Sequence, residues 1–411
     1  MANRAPDSDK RKKQIIIISA AAVLLVAAII IVVLAVTGKS ETKKKPTTFT
    51  EAVTEQITTA DTTRAPEPEP ITYPAPSYPH GSSFSFVQRD MGIKPQYTDP
   101  LTGLGTDCDL ARVRPVAVMI NNIEHAMPQV GISNADILYE CLAEGGITRL
   151  LMVTRDYESL GRIGSVRSSR EYYIDFAMNH DAVYVHAGGS EVAYSQIKTR
   201  GIDHLDGVRA DPRTGINLSK TVFYRDPERL ETMAYEHTLV TTGELISAGI
   251  SQMGYRTDTD EVDPIKPVDW GWGVELSGEG AAHIRIPYRS NRVSEYVYDA
   301  GGSRYLRFQY NHNEHIDGET GEQLAFENLL ILRMEHRNTG DKDGHLVVTT
   351  TGTGDGWYVT GGKCIPIKWY KETEDSEIRF TDTEGYDLIV NQGKTAVNIV
   401  DASVYSSVTF N

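Results

Sequence analysis

The segment GRIGSVRSSREYYIDFAMNHDAVYVHAGGS (161–190) decides the fold of this chain. Ser168 and Glu171 have the spacing of a capping box, which predicts that a helix begins there. The β-branched run that follows predicts a buried strand, then a glycine loop, then a second helix capped by Ser190. Because helix and strand signals alternate in this way, residues 86–256 are predicted to form an α+β or α/β domain with a mixed sheet.

The sequence on either side predicts further elements of the same domain. RPVAVMINN (114–122) is an apolar, β-branched run typical of a buried strand. Asp226, followed by a proline, predicts the start of a helix. Thr241 and Glu244 form another capping box, and Gly254 is placed to end that helix.

Basic residues cluster around the predicted helix start at Ser168. An arginine beside a helix N-terminus is repelled by the positive end of the helix dipole, unless an anion or a carboxylate compensates. Free backbone N–H groups and arginines together favour an anion, but pairing with nearby acidic side chains is an equally open alternative. The candidate ligand-binding residues are Arg149, Arg162, Arg167, Arg170, Gly188, Gly189 and Ser190.

Three residues near this cluster are candidates for a general base. They are Glu140, Glu144 and His186. A base of this kind, next to arginines that stabilise developing negative charge, would suit a hydrolase or transferase. The alternatives are that the two glutamates are surface groups and that the histidine is a structural residue of the strand end.

The N-terminal region indicates membrane attachment. Residues 15–36 are apolar and uncharged, and at about 1.5 Å per residue they are long enough to cross a bilayer core of about 30 Å. We therefore predict a transmembrane signal anchor, with residues 1–14 as a cytoplasmic tail. Residues 37–85 are rich in Thr, Pro and Glu and are predicted to be a disordered linker. The rest of the chain would then lie on the extracytoplasmic side.

The second half of the chain predicts a different architecture. The acidic stretch at 257–280, with its two prolines, is predicted to be an inter-domain linker, and many short apolar runs make 281–411 a β-rich domain. The polar segment NHNEHIDGETGE (311–322) contains His312 and His315, but its pattern favours a hydrogen-bonded turn over a metal site. We expect no metal and no cofactor.

Composition excludes several classes of protein. Lys and Arg total 41 and Asp and Glu total 56, so the net charge is −15, which argues against a nucleic-acid partner. Three distant cysteines exclude a disulfide scaffold, and none lies near residues 15–36, where a lipid-modified cysteine would be expected. The chain has no Walker, GxSxG, HExxH or dinucleotide-binding motif.

Several motifs, in order, resemble one known family. PVAVMINN, QVGISNADILYE, EGGITR, GRIGSVRSSR, YVHAGGS and FYRD are similar to the N-terminal domain of the YerB-like bacterial surface lipoproteins, and EHIDGETGE, ENLLILRMEH and TGTGDGW are similar to its C-terminal domain. The resemblance covers about residues 110–400. It implies two domains on the outer face of mainly Gram-positive membranes and no established activity. The usual RSAR of the family is RSSR here, which keeps Arg167 and Arg170.

These observations support three hypotheses of function. The first is an envelope protein that binds an anionic ligand, such as a cell-wall polymer, through its arginines. The second is a hydrolase or transferase that acts on such a polymer. The third is a structural module that docks other envelope proteins through its β-rich domain.

Overall fold

The computed structural model describes residues 96–259 and 268–411, together with the backbone of the strand Phe84–Phe86. The predicted tail, the predicted membrane span at 15–36 and nearly all of the predicted linker at 37–85 lie outside the described residues. Within the described ranges, no helix has both the length and the apolar character needed to cross a membrane.

The first half of the described chain contains both strands and helices. Its strands are β1 (Phe84–Phe86), β2 (Tyr97–Thr98), β3 (Gly105–Thr106), β4 (Val116–Asn122), β5 (Ile137–Leu142), β6 (Thr148–Thr154), β7 (Arg162–Gly164), β8 (Val183–His186), β9 (His204–Asp206), β10 (Tyr224–Arg225) and β11 (Leu239–Thr242). Its α-helices are α1 (Glu171–Met178), α2 (Glu191–Arg200), α3 (Pro227–Thr232) and α4 (Gly243–Met253).

The second half is built almost entirely from strands. These are β12 (Asp269–Gly271), β13 (Val274–Leu276), β14 (Glu279–Gly280), β15 (His283–Arg289), β16 (Arg292–Asp299), β17 (Arg304–Gln309), β18 (Asn313–Glu314), β19 (Ala325–Phe326), β20 (Asn328–Met334), β21 (His336–Asn338), β22 (Leu346–Val348), β23 (Gly352–Thr360), β24 (Lys363–Lys371), β25 (Arg379–Asp382), β26 (Ile389–Asn391), β27 (Thr395–Asp401) and β28 (Thr409–Phe410).

One mixed sheet of eleven strands forms the centre of the fold. Its order is β14-β24-β23-β20-β27-β5-β6-β4-β8-β9, with β25 paired to β24. Every residue of β4, β5 and β6 is buried, because these strands are covered on both faces. The continuous apolar run at 114–122 reflects this position in the middle of the sheet.

Two apolar clusters cover the two faces of this sheet. Val118 and Ile120 of β4 face one cluster, which also contains Ile284 and Ile286 of a second, six-stranded sheet. Met119 faces the other cluster, which contains the aromatic side chains of α1. The alternation along β4 therefore places the small sheet on one side and α1 on the other.

Strand β27 joins sequence-distant parts of the chain in the large sheet. It lies between β20 and β5 and runs parallel to both. Thr395 is opposite Ile137 of β5 and also opposite Asn328 of β20. The sheet is therefore continuous through the two halves that the sequence assigns to 86–256 and 281–411, and the division into domains stays a prediction.

The predicted fold class is confirmed for the described residues: the first half has a mixed sheet with helices, and the second half is β-rich. Some of the predicted helix starts were wrong. Helix α1 has Arg170 as its N-cap residue, without a side-chain cap, because the Ser168 hydroxyl donates instead to the carbonyl of Ala187 at 3.0 Å. Helix α4 is capped by Thr242, one residue after the predicted position.

Other predicted helix ends agree with the structure. The Ser190 hydroxyl accepts a hydrogen bond from the backbone N–H of Ala193 at 3.1 Å, and Asp226 caps α3. The hydrogen-bonded turn predicted within 311–322 is also present, since the backbone N–H of Gly321 donates to the carbonyl of Asp317 at 2.8 Å. The Asp317 carboxylate also accepts hydrogen bonds from the backbone N–H groups of Gly131 and Ser133. These contacts attach the turn to the first half of the chain.

Candidate functional site

The segment before α1 and the loop before α2 lie side by side. The backbone N–H of Ser169 donates to the carbonyl of Gly188 at 2.9 Å, and that of Ala187 donates to the carbonyl of Arg167 at 3.0 Å. Ser169 and Gly189 also form a parallel bridge. The structure therefore brings the predicted arginine segment and the predicted glycine loop together.

Both the backbone N–H and the backbone carbonyl of Gly188 make hydrogen bonds. Its N–H donates to the carboxylate of Asp206 at 2.8 Å, and its carbonyl lies 2.8 Å from Nδ1 of His186. Its φ of 79° lies in the left-handed region, which glycine adopts without strain. The loop is thus fixed before any ligand arrives.

Two of the predicted arginines pair with Glu144. Arg170 forms a bidentate pair with this carboxylate, with Nη2 at 2.5 Å from Oε1 and Nε at 3.0 Å from Oε2, and Arg149 contacts Oε1 as well. Partial burial alone would raise the pKa of Glu144, but the positive charges of Arg149 and Arg170 lower it. For these two residues the structure shows pairing with an internal carboxylate.

Arg162 lies away from this group and is also paired. Its Nη1 contacts the carboxylates of Asp226 at 3.0 Å and Glu228 at 2.7 Å, and its Nε contacts Glu319 at 2.7 Å. Glu319 follows Asp317 in the turn described above, so Arg162 helps to attach the second half of the chain to the first.

Arg167 differs from the other predicted arginines. It is half-buried, and its Nη1 donates to the backbone carbonyl of Glu236 at 3.1 Å. No carboxylate of the described residues lies within ion-pair distance of it. Burial and the nearby positive charge of Arg149 lower the pKa of Arg167, although the more distant carboxylates of Glu236 and Glu144 oppose this shift. A half-buried cation in this position would be stabilised by an anion.

A cavity of about 320 Å³ contains Arg167 and two further arginines. Gly188 and Gly189 line it as well. Arg209 and Arg225 were not among the predicted site residues, although Arg225 lies in the FYRD motif (223–226). That motif was the signal that could have identified it, whereas Arg209 follows β9 with no distinctive pattern.

Both additional arginines are held against aromatic rings. The guanidinium of Arg225 lies 3.9 Å from the ring centroid of Tyr235, and that of Arg209 lies 4.3 Å from the centroid of Tyr194. Arg209 also pairs with the exposed Glu191 at 2.8 Å. Nη1 of Arg225 donates to the backbone carbonyl of Tyr235 at 2.6 Å. The cation–π contacts leave the remaining N–H groups at the edge of each guanidinium available to an anion.

The three predicted general bases do not line this cavity. Glu140 is 1% exposed and pairs with Arg307 at 2.6 Å and with Arg292 at 3.2 Å. Burial alone would raise the pKa of Glu140, but these guanidinium groups lower it to about 2. Glu144 is engaged by the arginines described above. A role for these residues as catalytic bases stays a prediction.

His186 lies behind the glycine loop and is fully buried. Its Nε2 is 3.0 Å from Nδ1 of His204, and Nε2 of His204 is 2.9 Å from the carboxylate of Asp211. Because both ring nitrogens of His186 are used inside the protein, its evident role in this structure is to support Gly188.

A second, larger cavity offers a useful contrast. It has a volume of about 420 Å³ and also contains several arginines. These arginines face carboxylates: Arg114 pairs with Asp203 at 2.7 Å, and Arg200 pairs with Asp375 at 2.6 Å. The arginine-lined cavity at Arg167 is therefore the better candidate for an external anion.

Comparison with known proteins places the chain in a family. Residues 101–256 match the N-terminal domain and residues 284–397 the C-terminal domain of a family described as "Protein of unknown function (DUF3048)". The chain is 30% identical over 304 residues to the Bacillus subtilis protein named "Putative lipoprotein YerB", and the alignment covers 73% of this chain and 85% of that relative. It is similar to the crystal structure of that protein with a TM-score of 0.64 at 30% identity, covering 76% of this chain and 99% of the solved chain. The chain therefore belongs to the YerB-like family, which has two DUF3048 domains and no known function.

Proposed function

We propose that this protein is a membrane-anchored, extracytoplasmic envelope protein that binds an anionic ligand, such as a cell-wall polymer, in the cavity at Arg167. The observation that carries the proposal is the state of Arg167: a half-buried guanidinium without a carboxylate partner among the described residues. Charges that are buried without a partner are costly, and a bound phosphate or carboxylate would supply one.

The rest of the cavity supports this assignment. Three arginines and one glutamate line it, so the formal charge of its walls is positive although the chain as a whole carries −15. Glu191, which pairs with Arg209, is exposed, so this ion pair can be broken at little cost. A positive cavity on an acidic protein selects anions locally and repels them elsewhere.

The backbone around the cavity also favours binding of an anion. Helix α2 begins directly after Ser190, so the positive end of its dipole lies beside the glycine loop. The volume of about 320 Å³ is at the lower end of the range for small-molecule pockets. It suits one phosphate- or carboxylate-bearing unit of a longer polymer better than a large rigid ligand.

The cellular location is supported by two independent observations. The B. subtilis relative is named as a lipoprotein, and residues 15–36 of this chain have the length and composition of a membrane anchor. Protease added to intact protoplasts should therefore remove the body and leave a short membrane stub. Protection of the body would contradict both the location and a wall ligand.

Binding to defined anions tests the proposed site. The full-length protein, in an uncharged detergent, is titrated with a glycerol-phosphate polymer, a carboxylated polysaccharide and inorganic phosphate. We expect saturable binding that weakens with salt, and a loss of about tenfold or more in Arg167→Ala, the equivalent of one charge-assisted hydrogen bond. Arg379→Ala, which removes an exposed arginine elsewhere, is the matched control.

Polymer binding that is the same in wild type, Arg167→Ala and Arg225→Ala would show that the cavity is not the site. Binding to phosphate polymer but not to carboxylate polymer would leave the site in place and narrow its ligand class.

A further inference from the structure

Three side chains on the outer face of the six-stranded sheet converge on one point. Oε2 of Glu295 lies 2.9 Å from Nε2 of His283 and 3.2 Å from Nδ1 of His312. The three ligand atoms all lie within 4.8 Å of one another. From this geometry we propose that His283, Glu295 and His312 form a site for a single Zn²⁺ ion, which is independent of the arginine-lined cavity.

The donor set and its spacing suit this ion. Zn²⁺ is bound by imidazole nitrogens and carboxylate oxygens at about 2.0–2.2 Å in tetrahedral geometry, which places ligand atoms about 3.4 Å apart. The two distances from Glu295, 2.9 and 3.2 Å, lie within about 0.5 Å of that value. Three protein ligands leave the fourth position to water, as in open zinc sites.

Rigid strands position two of the ligands. Glu295 is in β16, which pairs with β15 on one side and with β17 on the other. His283 is in β15, two residues before Arg285, the residue directly opposite Glu295. His283 is also fixed by backbone hydrogen bonds to Asn411, at 2.9 and 3.0 Å in the two directions. Because both ligands lie on paired strands, little rearrangement is needed to receive an ion.

The third ligand is positioned by an unusual turn. Tyr310, Asn311 and His312 have φ values of 47°, 61° and 64°, so three successive non-glycine residues are left-handed. L-residues disfavour this conformation, and such outliers persist where the surrounding structure requires them. The turn folds the His312 ring back over Phe308, where the rings stack at 4.5 Å, and directs Nδ1 to Glu295.

Glu295 contacts two histidines although an arginine lies opposite it in the sheet. Arg285 is directly opposite Glu295 in the strand register, yet among the described residues Glu295 pairs with the two histidines and not with an arginine. His283 and His312 are about 39% and 53% exposed, so an ion from solvent can reach them. From the sequence, His312 was considered as a metal ligand only together with His315, and a turn was favoured instead; His315 is buried and bonded to Gln129.

Titration of the full-length protein with Zn²⁺ alone tests the proposal. We expect one ion per chain, a rise in the thermal midpoint, and a loss of affinity of at least tenfold in His283→Gln, Glu295→Gln and His312→Gln. The matched control is His345→Gln: His345 pairs with Asp341 at 2.6 Å, and no third metal-binding side chain of the described residues joins them. Binding in this control should be unchanged.

A second readout separates the site from adventitious binding. Co²⁺ in place of Zn²⁺ should give the visible spectrum of a tetrahedral ion in wild type and in His345→Gln, and should not in the double variant His283→Gln/His312→Gln. Equal Zn²⁺ affinity of wild type and this double variant would overturn the proposal, as would a loss of binding in His345→Gln. Near-ultraviolet circular dichroism of each variant checks that the fold is retained.

Discussion

Oε2 of Glu140 lies 2.6 Å from Nη2 of Arg307, a residue 167 positions later in the chain. Arg307 is fully buried, and Arg292 contacts the other oxygen of the same carboxylate at 3.2 Å. The Ser294 hydroxyl donates to Glu140 at 2.7 Å. This buried group links the large sheet to the small sheet, so the carboxylate connects the two halves of the chain from inside.

We expect Glu140→Gln to destabilise the protein strongly. The change leaves two buried arginines without their counter-charge, which costs about 3–5 kcal/mol in the free energy of unfolding. Denaturant titration measures the loss, and Glu335→Gln, at an exposed surface pair, is the control. A variant of normal stability that has lost a hydrolytic or transfer activity of the wild type would instead favour the prediction that Glu140 is a catalytic base.

Arg167→Ala and Arg170→Ala should have opposite effects. Arg170 is buried in a bidentate pair with Glu144, so its loss should lower the free energy of unfolding by about 1–3 kcal/mol and leave anion binding in the folded fraction. Arg167 has no such partner among the described residues, so its loss should change stability by less than about 1 kcal/mol and reduce binding. Measuring both properties on one sample of each variant tests this; the reverse pattern would assign the anion to Arg170.

Gly188→Ala should weaken binding through the backbone. At a φ of 79° an L-residue is strained by about 1–2 kcal/mol, although its Cβ would meet Ser168 and Val208 only at 3.5 Å. Relief of the strain should shift the loop that lines the cavity. Gly254→Ala, at a φ of 66° with nothing within 4 Å of the added carbon, carries a similar backbone penalty far from the loop. An equal loss of binding in both variants would rule out a local effect.

Asp136 should make stability depend on pH. Burial, together with the negative charge of Asp99, raises the pKa of Asp136 from 3.8 to about 7. The folded state therefore keeps a proton that the unfolded state has lost, so the free energy of unfolding should fall as the pH rises from about 4 to 7. Asp136→Asn should flatten this part of the pH profile, while the exposed Asp343→Asn should not. A slope that persists in Asp136→Asn would assign the effect to other groups.

Local signals in the sequence predicted local structure well. Ser190, Asp226 and Gly254 cap or end helices as their residue types indicate. Long-range pairing was beyond such signals: nothing in the apolar run of β27 specifies that it adds to β5 rather than to another strand. The capping box at Ser168 failed because a tertiary contact with Ala187 was available to the hydroxyl.

The candidate site was predicted only in part, because it also depends on contacts between distant segments of the chain. The sequence named Arg167 and the glycine loop as parts of one candidate anion site, and the structure brings them together. It left open whether each arginine faces a ligand or a carboxylate, since this depends on where Glu144 lies in three dimensions. Arg225 lies in β10 and Arg209 follows β9. The FYRD motif marks Arg225, but no local pattern in the sequence indicates that the two arginines meet at one cavity.

The position of β27 has a consequence for biogenesis. Until residues 395–401 have been synthesised, β5 and β20 have no neighbour between them, and each exposes an unpaired row of backbone N–H and C=O groups. The central sheet therefore closes only when nearly the whole chain is available, which makes folding late and dependent on distant contacts. A chain that is cut short before β27 would present open strand edges, so it should aggregate or be degraded, and it should not accumulate as a folded N-terminal fragment.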